Sequence, residues 1–394
     1  MKFHLLLIVT LLAMGSGMAG AKPFVPDDDG QVLERLPFFT FSPEMRELRA
    51  WRNDLADNPG DRRLAVRLAW RYVELGRAEA DPRYYGYAQA ALAPWWNESQ
   101  PAPEVLLLRA TLRQNRHDFS EALADLEKLL KVRPRAAQAW LTRAVILGVQ
   151  GDYPQALRSC LALSRLATEL LANACSGSIL GVVGQAQASY RMLDAVLAEN
   201  PEADSRERLW ALTVLAETAA RLGQPQAAER HFQQALALGL RDVYVLAAYA
   251  DFLLDENRPA AVSALLADDI RPDSLLLRLA LAEQRLHSPQ AGQYRDTLRA
   301  RIQASRLRGD TTHLGNEARF ALELAGQPDE ALRLALANWS VQREPVDARL
   351  VLEAALAAHA PSAARPVLDW LEKTGLEDVR LAALSQNLRR ELRP

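Results

Sequence analysis

From Asp61 to Leu392 apolar residues recur three and four apart, Ala, Leu, Arg, Glu and Gln dominate, and runs of β-branched residues are scarce. That spacing lays an apolar stripe along each of many short helices, and no strand pattern competes with it. The helices come in pairs. Their internal turns carry Gly or Asn followed by a polar residue or Pro, as in Gly151-Asp152-Tyr153-Pro154, Gly223-Gln224-Pro225, Asn257-Arg258-Pro259 and Gly326-Gln327-Pro328. At each turn a residue that tolerates left-handed backbone ends one helix, and an N-cap or N1 residue starts the next.

Aligned on these turns, the segments resemble the tetratricopeptide repeat (TPR), a unit of ~34 residues in which two helices cross at small side chains. Copy 103–136 carries Leu106, Ala110, Ala122 and Pro134 at motif positions. Copy 137–169 carries Trp140, Ala144, Gly151, Tyr153 and Ala156, with Thr168 in place of the final Pro, and copy 209–242 carries Ala216, Gly223, Ala228, Phe232 and Ala235. Looser copies follow at 243–272, 273–310, 312–345 and 346–375, while 62–94 holds an insertion around Asp81 to Tyr85.

The resemblance implies an all-α, superhelical α-solenoid with about nine helical pairs between residues 61 and 376. Ala110, Ala144, Ala216 and Ala250 would sit where first helices cross their partners, and Ala122, Ala156 and Ala228 would do so in second helices. Stacking buries the apolar face that each pair alone would leave wet, giving a rod whose concave wall is lined mainly by first helices. Residues 22–60 read as an extended arm with a capping helix from about Pro43 to Asp57, and Phe38, Phe39 and Phe41 are expected to cover the open end of the first repeat. Residues 377–394 read as a C-terminal capping helix, with Arg389, Arg390 and Arg393 favourably placed at the negative end of its dipole.

Residues 1–21 have the form of a secretory signal peptide: Lys2, an apolar run from Leu5 to Ala13, and Ala19-Gly20-Ala21 as a small-residue cleavage site. The apolar run is shorter than the ~20 residues of a membrane span, and Gly15, Ser16 and Gly17 interrupt it. The expected location is periplasmic or secreted, after cleavage near Ala21 and without a transmembrane anchor. In an oxidising compartment the chain's two cysteines, Cys160 and Cys175, become a disulfide candidate. Under the repeat register the helix around Pro154 to Leu166 turns near Thr168 and runs back antiparallel, leaving both cysteines equally far from the turn. Helix axes ~8–10 Å apart then leave facing Cα atoms ~3.4–5.4 Å apart, a range that overlaps the ~4.4–6.8 Å of a disulfide. A loop of about 15 residues implies about 3 kcal/mol of stabilisation. The returning helix, Leu170 to Val183, contains Asn173, Ser176, Gly177, Ser178 and Gly181, so propensity alone disfavours it.

The chain has 394 residues, 49% of them hydrophobic, with 47 basic against 49 acidic side chains and a formal charge of −2. It can build a core, and it lacks the overall basic field that holds nucleic acid. The six histidines, His4, His117, His231, His287, His313 and His359, include no pair four apart that would put two metal ligands on one helical face. A phosphate-cradling loop, a strand-bound G-x-G-x-x-G and a G-x-S-x-G nucleophile elbow are all missing. The expectation is therefore a non-enzyme without metal or cofactor.

In TPR register the inner wall includes Trp210, Glu217, Arg221, Tyr244, Asp251, Asp255, Arg278, Arg285, His313 and Phe320, a mix of charge and aromatic rings suited to a protein or peptide segment. The Lys/Asn carboxylate clamp of the chaperone-binding TPR proteins is not visible at these positions. The sequence thus points to an exported scaffold or adaptor in the bacterial cell envelope. The alternatives are a periplasmic assembly or maturation chaperone, and an enzyme or small-ligand receptor with a pocket between repeats.

Overall fold

The turns that organise the sequence organise the structure. This computed structural model describes residues 43–392 apart from 308, 310 and 311. The leader, the cleavage point at Ala21, the arm with Phe38, Phe39 and Phe41, and Arg393 lie outside the described residues. The chain divides into two compact units, Met1–Ala50 and Trp51–Pro394, with the boundary inside helix α1 (Pro43–Asp57).

The second unit holds the repeats. Its first pair is α2 (Arg62–Glu79) with α3 (Arg83–Ala91), followed by the single turn α4 (Ala93–Trp96). Next come α5 (Pro103–Asn115) with α6 (Phe119–Val132), α7 (Ala137–Val149) with α8 (Tyr153–Leu163), and α9 (Glu169–Leu180) with α10 (Ala186–Glu199). They are followed by α11 (Ser205–Arg221) with α12 (Pro225–Ala237), α13 (Val243–Asp255) with α14 (Pro259–Leu266), and α15 (Asp273–Arg285) with α16 (Ala291–Leu307). Helix α17 (Leu314–Arg319) runs into a π turn at Phe320–Leu324 and pairs with α18 (Pro328–Val341). The last pair, α19 (Pro345–Ala357) with α20 (Arg365–Thr374), is joined through a 3-10 turn at Pro361–Ala364 and precedes α21 (Val379–Glu391).

Every pair has one left-handed residue in its internal turn. In order they are Ala80, His117, Gly151, Gly184, Gly223, Asn257, His287, Gly326 and His359, with φ between 48° and 81°. At most of them the next backbone N–H bonds to the carbonyl five residues back, as in Asp118 N to Arg113 O at 2.9 Å, Asp152 N to Leu147 O at 2.8 Å and Arg258 N to Leu253 O at 2.8 Å. These are Schellman closures, which satisfy the last free carbonyls of the first helix. Three histidines therefore serve as turn residues, consistent with the tolerance of His for left-handed backbone. In the α17–α18 pair the bond runs from Gln327 N to Ala321 O, one residue longer, because the π turn has taken up an extra residue.

The alanines of the repeat register are buried: Ala110, Ala122, Ala156, Ala216, Ala228 and Ala250 have no exposed surface and Ala144 has 1%. Trp140 fills its gap less completely, remaining half-buried with its indole N–H donated to Pro134 O at 2.8 Å. Helix α9 forms despite its composition. Thr168 caps it by accepting from Leu171 N at 3.2 Å, and Ser189 on α10 donates to Gly177 O at 2.9 Å, a close approach that a glycine permits. Cys160 and Cys175 are joined in a disulfide between α8 and α9, with Cα atoms 5.5 Å apart.

The repeat unit differs from an open rod. The loops before α13 and α15 reach the end of α2, where Arg241 donates to Ala78 O and Arg271 pairs with Glu79 at 3.5 Å. The C-terminal helices return to the row of internal turns: Arg343 N donates to Val149 O at 2.7 Å, Tyr153 Oη to Arg343 O at 3.2 Å, and Ala186 N to Glu377 Oε2 at 2.6 Å. At Gly184 a Cβ would meet Gly375 O at 3.1 Å. One apolar cluster accordingly joins Leu147, Tyr153, Leu163 and Ile179 to Leu334, Trp339, Val351, Leu368 and Leu388.

Candidate functional site

First helices present their inner faces to one another, and the side chains there fall into two groups. In the first, Tyr244 at the start of α13 donates its hydroxyl to Glu217 Oε1 on α11 at 2.7 Å. The residue remains 60% exposed. Glu344 and Asp347 open α19 as a reciprocal capping box, with Glu344 N donating to Asp347 Oδ2 at 3.1 Å and Asn338 Nδ2 to Asp347 Oδ1 at 2.7 Å. Burial, then the charges of Asp347 and Glu217, hold the Glu344 carboxyl above the usual range. Burial also raises Asp347, against the hydrogen bonds from Glu344 N and Asn338. Glu217 is raised by burial, with Arg221 and the Tyr244 hydroxyl opposing, and the Tyr244 phenol is pushed up by Glu217 first and burial second. Tyr244 thus keeps solvent-accessible surface while its hydroxyl end sits down in the wall, among carboxyls that share too little positive charge.

The second group is cross-linked. Asp251 on α13 pairs with Arg278 on α15 at 2.6 Å and with Arg319 on α17, and Arg319 also holds Glu323 Oε1 at 2.7 Å. Burial opposes the Asp251 charge, but Arg278 and Arg319 prevail and hold it down to about 2. One turn further along α13, both oxygens of Asp255 accept from Arg349 on α19 at 2.8 Å, and Arg380 on α21 lies 3.0 Å from Oδ2. Arg380 reaches Glu256 as well, at 3.2 Å. Arginine forks suit such carboxylate networks because several donors share one plane.

Of the ten residues expected on the wall, Glu217 and Tyr244 form the open group and Asp251, Asp255 and Arg278 the cross-linked one. Arg285 donates to Leu254 O at 2.7 Å and faces Glu323 at 3.6 Å. Arg221 donates to Thr218 Oγ1 at 3.1 Å, while its buried Nε has no partner. Trp210 packs half-buried against the apolar cluster. His313 and Phe320 line a small recess with Asp273, Asn316 and Glu317. Phe320 is 7% exposed and belongs to the core around Leu324 and Leu253, at the start of the π turn.

Sequence reasoning missed Arg319, Glu344, Asp347, Arg349 and Arg380. Glu344-Pro345-Val346-Asp347 ahead of an apolar run was a readable capping signature. The links of these arginines to Asp251 and Asp255 had no local signal, since those carboxylates lie 68 and more residues away. Among the described residues, no set of three or more His, Cys, Asp or Glu side chains is placed to hold a metal ion, and no helix is long and apolar enough to cross a membrane.

No protein-family model matches the chain, and no curated protein does. Among solved structures it is similar to a tetratricopeptide repeat protein from Parabacteroides merdae, at 14% identity and TM-score 0.37, covering 74% of this chain and 97% of that one. It is also similar to a chain of the APC/C hetero-tetramer Cut9–Hcn1, at 15% identity and TM-score 0.44, covering 85% of this chain and 64% of that one. The P58(IPK) TPR domain matches at 15% identity and TM-score 0.23, over 83% and 97% of the two chains. The architecture of this chain, nine helical pairs with one left-handed residue in each internal turn among the described residues, is that of an all-α solenoid of TPR-like repeats.

Proposed function

We propose that this chain is a non-catalytic scaffold or adaptor of the bacterial cell envelope, exported by its N-terminal leader, and that the inner wall around Tyr244 holds a segment of a partner protein. The observation that carries this reading is the exposure of Tyr244, whose hydroxyl is bonded to Glu217 and lies within the field of the Glu344 carboxyl. A ring face beside carboxyls receives a cationic side chain through both cation–π and charge attraction. Asp251 and Asp255 belong to the scaffold, because their charges are already matched within the chain. The leader and the Cys160–Cys175 disulfide support export, since such a bond persists in oxidising compartments.

The test is affinity capture from envelope extracts with wild type and Tyr244→Ala, together with the N-terminal sequence of the protein recovered from the periplasm. The proposal expects a partner retained by wild type and lost by Tyr244→Ala, and a mature chain beginning near Lys22. Capture indifferent to position 244 would overturn the inner-wall site, and an intact leader on a cytoplasmic protein would overturn the location.

A further inference from the structure

Four of the left-handed residues in the internal turns are glycines, and they are not equivalent. A Cβ at Gly151 would meet Arg343 Cδ at 3.4 Å and Trp370 Nε1 at 3.9 Å, one at Gly184 would meet Gly375 O at 3.1 Å, and one at Gly223 would meet Val379 Cγ1 at 3.3 Å. At Gly326 it would meet nothing within 4 Å. Ala80, His117, Asn257, His287 and His359 make the other turns, so left-handed backbone alone does not demand glycine in this chain. At three consecutive turns it is the passage of the C-terminal segment that leaves little room for a side chain.

The contacts run in order along that segment. Trp370 stands by Gly151 and Gly375 by Gly184, Glu377 Oε2 accepts from Ala186 N at 2.6 Å, and Val379 lies against Gly223. Arg380 then pairs with Asp255 at 3.0 Å and Glu256 at 3.2 Å, just before the turn at Asn257. Residues 370–380 therefore cross the turns of four successive pairs, from α7–α8 to α13–α14. Repeats of a solenoid otherwise touch only their neighbours, so small changes of angle accumulate along the stack. The pairs α15–α16 and α17–α18 stand between α13 and α19 in that stack, yet Arg349 on α19 reaches Asp255 on α13 at 2.8 Å. At the head of α19 the backbone of Arg343, next to Glu344, is held by Val149 O and the Tyr153 hydroxyl at the first of the four turns.

We propose that residues 370–380 are a strap that fixes the spacing of α13 and α19, and that Glu377 and Arg380 thereby act as positioning residues for the inner-wall site: with the strap unseated, Glu344 moves away from Tyr244 and Glu217. The proposal rests on the reading of Tyr244 as a partner site and adds what sets the width of that site. The strap seats on the internal turns, whereas the site lies on the inner faces of first helices, so the two can be altered separately. Trp370 and Leu381 anchor the strap in the apolar cluster that holds Leu147 and Tyr153. Arg380 lies at a partly exposed edge, with 30% of its side chain accessible. Removing the polar contacts of Glu377 and Arg380 should therefore loosen the strap without dismantling the core.

The experiment measures the spacing by pulsed electron resonance in the whole protein, between spin labels at the exposed positions Gln233 on α12 and Val346 on α19, under non-reducing conditions. Glu377→Ala/Arg380→Glu and Gly184→Leu attack the strap. Gly326→Leu is the control, because its φ of 64° is close to the 72° of Gly184 while its Cβ meets nothing. Circular dichroism confirms that each variant is folded. The proposal expects one narrow distance in wild type and Gly326→Leu, and in the strap variants a distribution longer by about 5 Å or more. A fluorescent peptide of alternating Lys and Ala, the probe for a cationic segment, is titrated into unlabelled protein. It should bind wild type and Gly326→Leu alike and lose about tenfold in affinity with the strap variants and with Tyr244→Ala. Unchanged distances in both strap variants, or equal widening in Gly326→Leu, would overturn the strap. Widened distances with full peptide affinity would overturn its hold on the site. A peptide that wild type does not bind, or that Tyr244→Ala binds equally well, would remove the inner-wall reading, while the distances would still decide whether the strap exists.

Discussion

Tyr244 and Asp251 lie on the same inner face of α13, two helical turns apart, and do opposite things. Tyr244 is exposed, so its removal should leave the melting temperature nearly unchanged while abolishing partner capture. Asp251→Asn should lower stability by about 3 kcal/mol in denaturant unfolding, because Arg278 and Arg319 would be left without their counter-charge in a largely dry setting. Glu344 and Asp347 predict a pH dependence. Their folded carboxyls stay protonated above the unfolded value of about 4, so the folded chain holds more protons and loses stability as pH rises from about 5 through neutrality. Asp251, held down to about 2, works the other way: its contribution is present above about pH 4 and is lost as pH falls. Glu344→Gln should therefore flatten the decline of melting temperature between pH 5 and 8 and leave the acid limb in place. In the sequence Asp251 and Asp255 read as inner-wall residues suited to a partner segment, because a carboxylate shows nothing locally of a partner arginine in another repeat.

At the scale of elements, the pairs were legible because their turns need special backbone, and special backbone needs few residue types. Gly151, Gly223, Asn257 and Gly326 could be recognised. His117, His287 and His359 could not, since histidine carries no turn signal strong enough to stand out among six scattered copies. His287 is exposed and has φ of 52°, so His287→Gly should relieve left-handed strain and raise stability by about 1 kcal/mol, read as a shift in urea midpoint. The π turn at Phe320–Leu324 left no mark in the sequence, and Phe320 at its start is core. Helix α9 shows tertiary packing overriding propensity, with the disulfide tying it to α8. Replacing both cysteines by serine should cost about 3 kcal/mol, and reducing agent should lower the melting temperature of wild type but not of that variant.

At the scale of the repeat unit, helical stacking was legible and its return on itself was not. A periodic code specifies contacts between neighbours, whereas Arg349–Asp255, Arg380–Asp255 and Ala186–Glu377 join segments that no repeat period relates. These contacts cross-link the inner wall at Asp251 and Asp255 and leave Tyr244, at the other end of α13, exposed. The most direct measurement is photo-crosslinking in intact cells, with a photoreactive residue at position 244 and a control at position 251. The account predicts a discrete adduct with another envelope protein from position 244 and none from 251. Absence of any adduct at 244 in cells where the protein is folded and exported would contradict it.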